Sequence, residues 1–403
     1  MIPYQEARKK IIEQVGKIRG AHVQQSVSVW DALGLVLTQE VKTDRAYPPF
    51  DRSTRDGYAV RAIEVAPGTE LQCTGEIKAG DVVTSALAVG KCMQIMTGAA
   101  VPPGADAVVM IEHTQRNGEM VRFERAARAG QNIVPKGSEA RAGETILRTG
   151  ARLGFAELAL AAQAGAAQLQ CAKRPRIAIL STGDEVVPID QEPGEFQIRN
   201  SNSVSLAAQV RIAGGEPVAL GNAADRIDDL GEKIERGLNE DALVLSGGVS
   251  MGKYDLVESV LKALGAEFFF DAVAIRPGKP AVFGICRGKP VFGLPGNPVS
   301  TMVTFELFVV PAIDLLSGAE ARPLPLVEAW LAEALNERPG LTHFLPSHIE
   351  WHGAVPEVKA LRWQGSGDIA ALAGANCFLV VPAEREKIAT GEHVSVLLRK
   401  DVV

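Results

Sequence analysis

Residues 243–257 read LVLSGGVSMGKYDLV. An apolar run, Leu243-Val244-Leu245, ends in Ser246-Gly247-Gly248, and a second apolar stretch resumes after Asp255. A short apolar run that breaks on glycines and gives way to helical spacing predicts a buried strand turning into a helix. Gly247, Gly252 and Lys253 satisfy most of the phosphate-loop pattern G-x4-G-K-[S/T], but Tyr254 stands where a Ser or Thr hydroxyl must reach Mg²⁺. A phenol cannot fill that compact position, so an NTPase phosphate loop is excluded. A weaker reading survives. Glycines let backbone N–H groups approach an anion, the following helix offers its positive end, and Ser246 and Ser250 add hydroxyls. From this loop alone, a tight strand-to-helix turn without a ligand reads equally well.

The flanking sequence repeats the alternation. RIAIL (176–180), PVALG (217–221) and PVFGLPG (290–296) read as strands, and NSVSLAAQVRIAGG (202–215), DRIDDLGEKIERGL (225–238) and the run after Pro298 read as helices. Asn200 or Ser201 is placed to cap the first helix, and Asn297 the last. Residues 174–320 are therefore expected to form a doubly wound α/β domain, with its ligand cleft at the carboxyl ends of the strands. Three loops fall there: STGDE (181–185), SGGVS (246–250) and GLPGNP (293–298). Glu185, Asp225 and Asp255 would share that edge. Carboxylates gathered beside an anion pocket call for a cation, and Mg²⁺ bridging phosphate and carboxylate is the natural resolution; helix capping is the plainer role for Asp225 and Asp255. In AIRPGKPAVFG (274–284), Arg276 and Lys279 flank a Pro-Gly turn that would aim both cations at one oxyanion, or form a solvated hairpin.

Outside this core, residues 46–145 alternate short apolar runs with turn signals such as PPGAD and RNGE, and predict an inserted β-rich domain. FDRSTRDGYAV (50–60) places Asp56 in a polar bend, and IMTGAAVPPGADAVVM (95–110) holds Thr97. Residues 1–45 with 146–173 are read as one helical and extended unit, in which FAELALAAQAGAAQL (155–169) is a helix packed beside the N-terminal helix. After a proline-rich linker, residues 327–403 read as a C-terminal β domain. His348 and His352 share the polar face of a strand there rather than announcing zinc.

The chain has 403 residues, of which 46% are hydrophobic, with a formal charge of −6. That length implies several domains, and the acidic balance disfavours a general nucleic-acid partner. The five cysteines are scattered and form no CxxC, which reads as reduced thiols. No signal peptide and no transmembrane run are read, so the cytoplasm is expected and no membrane partner.

The motifs FDRSTRDGYAV, IMTGAAVPPGADAVV, STGDE, SGGVSMGKYD, RPGKP and GLPGNPVS, in this order, resemble the molybdopterin molybdenumtransferase family, known as MoeA in bacteria and as the gephyrin E domain. SGGVSxGxxD alone is shared with related adenylylating domains; the insertion, RDGYAV and the tail narrow the resemblance. It implies a multidomain α/β subunit that forms a homodimer. It further implies insertion of molybdenum from molybdate into adenylylated molybdopterin, with the adenylyl link cleaved to release AMP and molybdenum cofactor. Mg²⁺ is the implied cofactor, and the adenylylating enzyme and apo-molybdoenzymes are implied partners. Position by position, Asp56, Glu185, Asp225, Asp255, Arg276 and Lys279 match the catalytic set, with Glu185, Asp225 and Asp255 on the metal. Thr97, Glu139, Pro280, Ser300 and Ser366 match substrate positions, Pro280 and Ser300 being linked with molybdate. The amides of Ser246, Gly247, Gly248, Ser250 and Gly252 and the turn Pro295-Gly296-Asn297-Pro298 would hold pterin and phosphates. The C-terminal domain that carries Ser366 would come from the dimer partner. Three departures stand out. Arg276 replaces the first lysine of KPGKP, Glu139 replaces an aspartate, and Pro346 falls near where many members carry an arginine. Two other classes compete: an adenylyltransferase that makes the adenylylated pterin, and a non-catalytic pterin-binding scaffold.

Overall fold

The computed structural model describes residues 1–18, 20, 23–248 and 256–402. Its centre is a six-stranded sheet in the order Glu216–Ala223, Arg176–Thr182, Ala242–Ser246, Lys289–Leu294, Val282–Cys286, Glu267–Phe270. The first four strands are parallel, Val282–Cys286 runs against them, and Glu267–Phe270, antiparallel to Val282–Cys286, runs in their direction. Side chains alternate between two cores, as the two-residue period of a strand demands. Ile177, Ile179 and Val244 face one side with Leu206 and Val210, whereas Ala178, Leu180, Leu243 and Leu245 face the other with Leu230, Ile234 and Val260. Burial on both faces is why these strands read as unbroken apolar runs.

The first core also holds Ala7, Ile11 and Val15 of the N-terminal helix Tyr4–Ile18. This corrects the expectation that the helix lies beside segment 155–169. Its apolar stripe packs on the helix Pro298–Leu316, and Arg8 donates to the Leu307 carbonyl (3.0 Å). Helix Phe155–Gln163 instead covers a separate cluster with Leu35, Leu37, Leu153 and Leu169. That helix is also shorter than its alanine-rich sequence suggests. Gly165 turns the chain at φ +78°, and Gln168–Ala172 becomes a strand paired with Gln24–Ser28.

By length and composition, helix Pro298–Leu316 could cross a membrane, but 83% of it is buried inside the protein. Asp314, fully buried on it, accepts from Arg152 (2.9 Å) and from the Arg322 backbone and side chain (2.9 and 3.0 Å). That pair of arginines ties the helix to the segment before Phe155 and to the proline-rich linker.

The insertion is a six-stranded sheet with Tyr58, Leu71 and Phe123 on one face and Ala59, Ile77, Ile95 and Val108 on the other. In the C-terminal part, Thr342–His352 pairs with both Val355–Ala360 and Cys377–Val381. The ring continues through Leu326–Leu331 and His393–Leu398 back to Cys377–Val381. These five strands close on themselves, which removes the exposed edges of an open sheet. Ile275–Arg276 adds a short strand to Thr342–His352, so the RPGKP loop is moored to this barrel. The protein is thus a multidomain α/β chain with mixed sheets.

Candidate active site

Strands Arg176–Thr182, Ala242–Ser246 and Lys289–Leu294 end together, beside the point where chain connections leave in opposite directions. Open α/β sheets hold ligands at such a point. A cleft of about 460 Å³ opens there, and its walls include Glu185, Ser246, Gly247, Gly248, Pro280 and the turn Pro295-Gly296-Asn297-Pro298. The residues expected from three separate loops therefore share one cavity.

Gly247 and Gly248 are sterically required. Gly247 and Gly248 have φ of +90° and +65°, and a Cβ on either would fall 2.8 Å or less from an oxygen atom of Thr182. Gly296 faces Gly247, and an added Cβ there would only reach ordinary van der Waals contact, 3.5 Å from the Gly247 Cα. Asn202 ties these loops together: its Nδ2 donates to Ser246 Oγ (2.8 Å) and to the Gly296 carbonyl (2.7 Å). Asn200 caps helix Ser201–Ala213 by accepting from the Ser203 N–H (3.0 Å), and Ser181 Oγ donates to the same oxygen (3.1 Å). Thr182 Oγ1 and Asn202 Oδ1 are buried and have no hydrogen-bond partner among the described residues. Orphaned buried oxygens on a cleft wall are what a polar ligand satisfies. The sequence reading assigned no ligand role to Asn200, Asn202 and Thr182; the signal available was RNSN (199–202), which it read only as a helix cap.

Asn297 occupies the position preceding helix Pro298–Leu316 but does not cap it with its side chain. Its Nδ2 donates to Ser366 Oγ (2.8 Å), and the Val299 N–H donates to the Ser366 carbonyl (3.0 Å). Ser366 thus reaches this edge from its own chain. Ser300 is buried in the first helical turn and is not part of the cleft wall.

The acidic set is partly visible. The Asp225 N–H donates to Asp184 Oδ1 (3.1 Å). The next helix, Ile227–Gly237, starts at Arg226 with no side-chain cap among the described residues, so the capping role expected of Asp225 is not seen; Asp229, in its first turn, accepts from the Ala224 N–H (2.8 Å). Desolvation, then the charges of Asp184 and Glu185, push the Asp225 carboxyl above its ordinary range. A carboxyl pushed up by two neighbouring carboxylates lacks a counter-charge, and a divalent cation is chemistry that would supply one. Among the described residues, however, no group of three or more His, Cys, Asp or Glu side chains is placed to hold a metal. Ser250, Gly252 and Asp255 lie outside the described residues.

Arg276 and Lys279 are exposed and, among the described residues, have no ion-pair partner. Their turn is fixed from below: Gly278 has φ +110°, and a Cβ there would meet Thr304 Cγ2 at 2.6 Å. Pro280, next to Lys279, lines the cleft.

Asp56, Thr97 and Glu139 sit on the inserted domain and line no part of this cleft. Thr97 donates to Asp56 Oδ1 from both its N–H (2.6 Å) and its hydroxyl (2.7 Å), which holds that carboxyl below its usual range. Glu139 pairs with Arg52 (3.0 Å). His343 is buried with Nε2 3.0 Å from the Arg338 carbonyl, while His348 is half-exposed and His352 exposed. The five cysteines are free and buried.

Comparison with known proteins agrees along the whole chain. Residues 2–165 match the MoeA N-terminal region (domain I and II), residues 178–315 the probable molybdopterin binding domain, and residues 328–398 the MoeA C-terminal region (domain IV). The molybdopterin molybdenumtransferase of Nostoc sp. (strain PCC 7120) is 34% identical, over 96% of this chain and 91% of that protein. That of Bacillus subtilis (strain 168) is 33% identical, over 93% and 90%. The crystal structure of the molybdopterin biosynthesis moeA protein from Pyrococcus horikoshii OT3 superposes with a TM-score of 0.82 at 29% identity, covering 99% of this chain and 100% of that one. A second structure of the moeA protein from that organism gives 0.74 at 32% identity, with 99% of each chain covered. The same three regions in the same order, and relatives of matching length at more than 30% identity, make one conclusion: the chain belongs to the molybdopterin molybdenumtransferase (MoeA) family.

Proposed function

We propose that this chain inserts molybdenum from molybdate into adenylylated molybdopterin, cleaves the adenylyl link, and releases AMP and molybdenum cofactor. The observation that carries the reading is the cleft at the strand ends, where the glycine loop, the Pro295–Pro298 turn and Glu185 meet around two oxygens with no partner among the described residues. In this reading the amides of 246–248, Gly296 and Asn297 receive pterin and phosphate oxygens, and Asn202 holds the two loops in register. Arg276 and Lys279, without an ion-pair partner among the described residues, stabilise negative charge on the phosphates or on molybdate. Arg276 can do so with two parallel N–H bonds where a lysine offers a point charge. Glu185, Asp225 and Asp255 would hold Mg²⁺. When bound, the ion supplies Lewis-acid stabilisation of the phosphate charge.

A homodimer belongs to the same proposal. Asp56 and Thr97 carry a carboxylate held ionised by two donors, yet they line no part of their own chain's cleft. A second copy gives that pair a site to act on. Trp30, Leu33 and Phe155 expose apolar area of the kind subunit contacts cover. The setting is cytoplasmic, with the adenylylating enzyme supplying substrate and apo-molybdoenzymes receiving product.

The test mixes purified chain with adenylylated molybdopterin, Mg²⁺ and molybdate, and quantifies AMP. Molybdate-dependent AMP release that Glu185→Gln abolishes is the expected outcome. Formation of adenylylated pterin from ATP would establish the adenylyltransferase instead, and tight pterin binding without turnover would establish a scaffold.

A further inference from the structure

A second cavity, of about 250 Å³, lies between the α/β domain and the C-terminal barrel, away from the strand-end cleft. Its walls are mostly apolar, with Ile212, Met302, Leu372, Phe378 and Leu397 prominent. One end is polar. There Gln209 donates through Nε2 both to Glu306 Oε1 (2.9 Å) and to the Met302 carbonyl (3.1 Å). Both neighbours are acceptors, so the orientation of the amide is fixed and its two donors are used. Gln209 Oε1 is buried and, among the described residues, has no partner.

The backbone presents Glu306 unusually. Helix Pro298–Leu316 passes through a π-helical turn at Phe305–Val309. Pro311 has no N–H to give the Leu307 carbonyl four residues back, and Arg8 supplies that bond instead (3.0 Å). Single π turns recur at functional positions. Burial pushes the Glu306 carboxyl up, and Lys400, Asp401 and Arg322 are the charged groups that act on it. None of the three is within ion-pair distance of Glu306: Arg322 is committed to Asp314, and Asp401 to Arg399. Lys400 has no ion-pair partner among the described residues, and burial lowers its own pKa.

We propose that this cavity is a second ligand site, for a small primary amine carried on an apolar body. Two acceptors at one end, the Glu306 carboxylate and Gln209 Oε1, ask for a group with several donors, and an ammonium has three. The apolar walls take the rest of the molecule. The volume lies below the range of about 300–1,000 Å³ for drug-sized ligands, which sets the occupant near the size of a phenylalkylamine.

The test uses the full chain without pterin or metal, so it is independent of the proposed reaction. Phenethylamine and, as the wrong-charge control, 3-phenylpropionate are titrated by calorimetry and saturation-transfer NMR. The expected result is saturable binding of the amine at one site per chain and none of the carboxylate. Glu306→Gln should weaken the amine by about tenfold or more, the loss of one charge-assisted hydrogen bond. If that variant does not fold, Ala208→Trp fills the cavity from its exposed lip without removing a polar group, and should abolish amine binding. No saturable binding up to about 10 mM, a concentration that would detect even very weak affinity, overturns the proposal. So does equal affinity in Glu306→Gln, or in Ala208→Trp. Binding that appears only in Lys400→Met also overturns it, because Lys400 is then the occupant in the intact chain.

Discussion

Gly248→Ala is the sharpest test of the glycine loop. Gly248 has φ +65°, and an added Cβ would lie 2.6 Å from Thr182 Oγ1 and 3.0 Å from Val257 Cγ2. Placing alanine in the left-handed region costs about 1–2 kcal/mol. Forcing a methyl into occupied space costs about 1–3 kcal/mol more, since Thr182 is buried, β-branched and stiff. The sum, about 2–5 kcal/mol, is relieved most cheaply by lifting the loop, which moves the amides of 246–248 out of the cleft. A shift of about 1 Å in such donors is enough for a loss of about a hundredfold. Equilibrium binding of molybdopterin should therefore weaken by at least about tenfold, a difference of about 1.4 kcal/mol. Gly265→Ala serves as the control: it has φ +86° but nothing within 4 Å of the added methyl. It should lose stability by the backbone strain alone and keep its affinity. Unchanged affinity and thermal midpoint in Gly248→Ala would refute the claim that this loop is sterically set to receive an anion.

Three further expectations can be checked with single variants. Asp314→Asn leaves Arg152 and Arg322 without their counter-charge; removing one partner of a buried pair costs about 3–5 kcal/mol, and these arginines, 23% and 31% exposed, place it at the lower end. Calorimetry should show Tm falling by about 6–12 °C, from about 2–4 °C per kcal/mol for a domain of this size, and a fall of less than a degree or two would remove Asp314 as the tie between segments. Thr97→Val deletes one of two donors to Asp56, so carbon-detected NMR should find that carboxyl titrating higher than in the parent, closer to its ordinary range. Because the parent's folded pKa is depressed, its contribution to stability is present above the unfolded value of about 3.9 and is lost as pH falls through the folded value; an identical titration in the variant would show that the hydroxyl contributes nothing. Gly278→Ala, whose methyl would meet Thr304 Cγ2 at 2.6 Å, should displace Arg276 and Lys279 together, raising KM for the adenylylated pterin more than either Arg276→Lys or Lys279→Arg.

Some of this molecule was legible in its sequence for a definite reason. Runs such as Ile177–Leu180 and Leu243–Leu245 are apolar at every position, which only a sheet covered on both faces requires, and each breaks on residues that permit a close turn. Local patterning therefore located the three loops, and parallel strands brought their ends to one edge. What could not be read was partnership. The stripe Ala7, Ile11, Val15 announces that one helix face is buried but not against what, and it met Pro298–Leu316 rather than Phe155–Gln163. Asn297 stood in a capping position, yet its side chain makes no cap and its Nδ2 donates instead to Ser366 Oγ, 69 residues away along the chain. Asn202 read as one more polar residue at a helix start; only the approach of Gly296 to Ser246 makes it a bridge. In each case the residue type limited what bonds could form, while the choice among them depended on which distant surface the fold delivered. The same logic explains Glu306. Nothing around it in the sequence marks a site. Its character comes from Pro311 freeing a carbonyl, Arg8 claiming it, and Gln209 arriving from another helix with one oxygen that has no partner among the described residues.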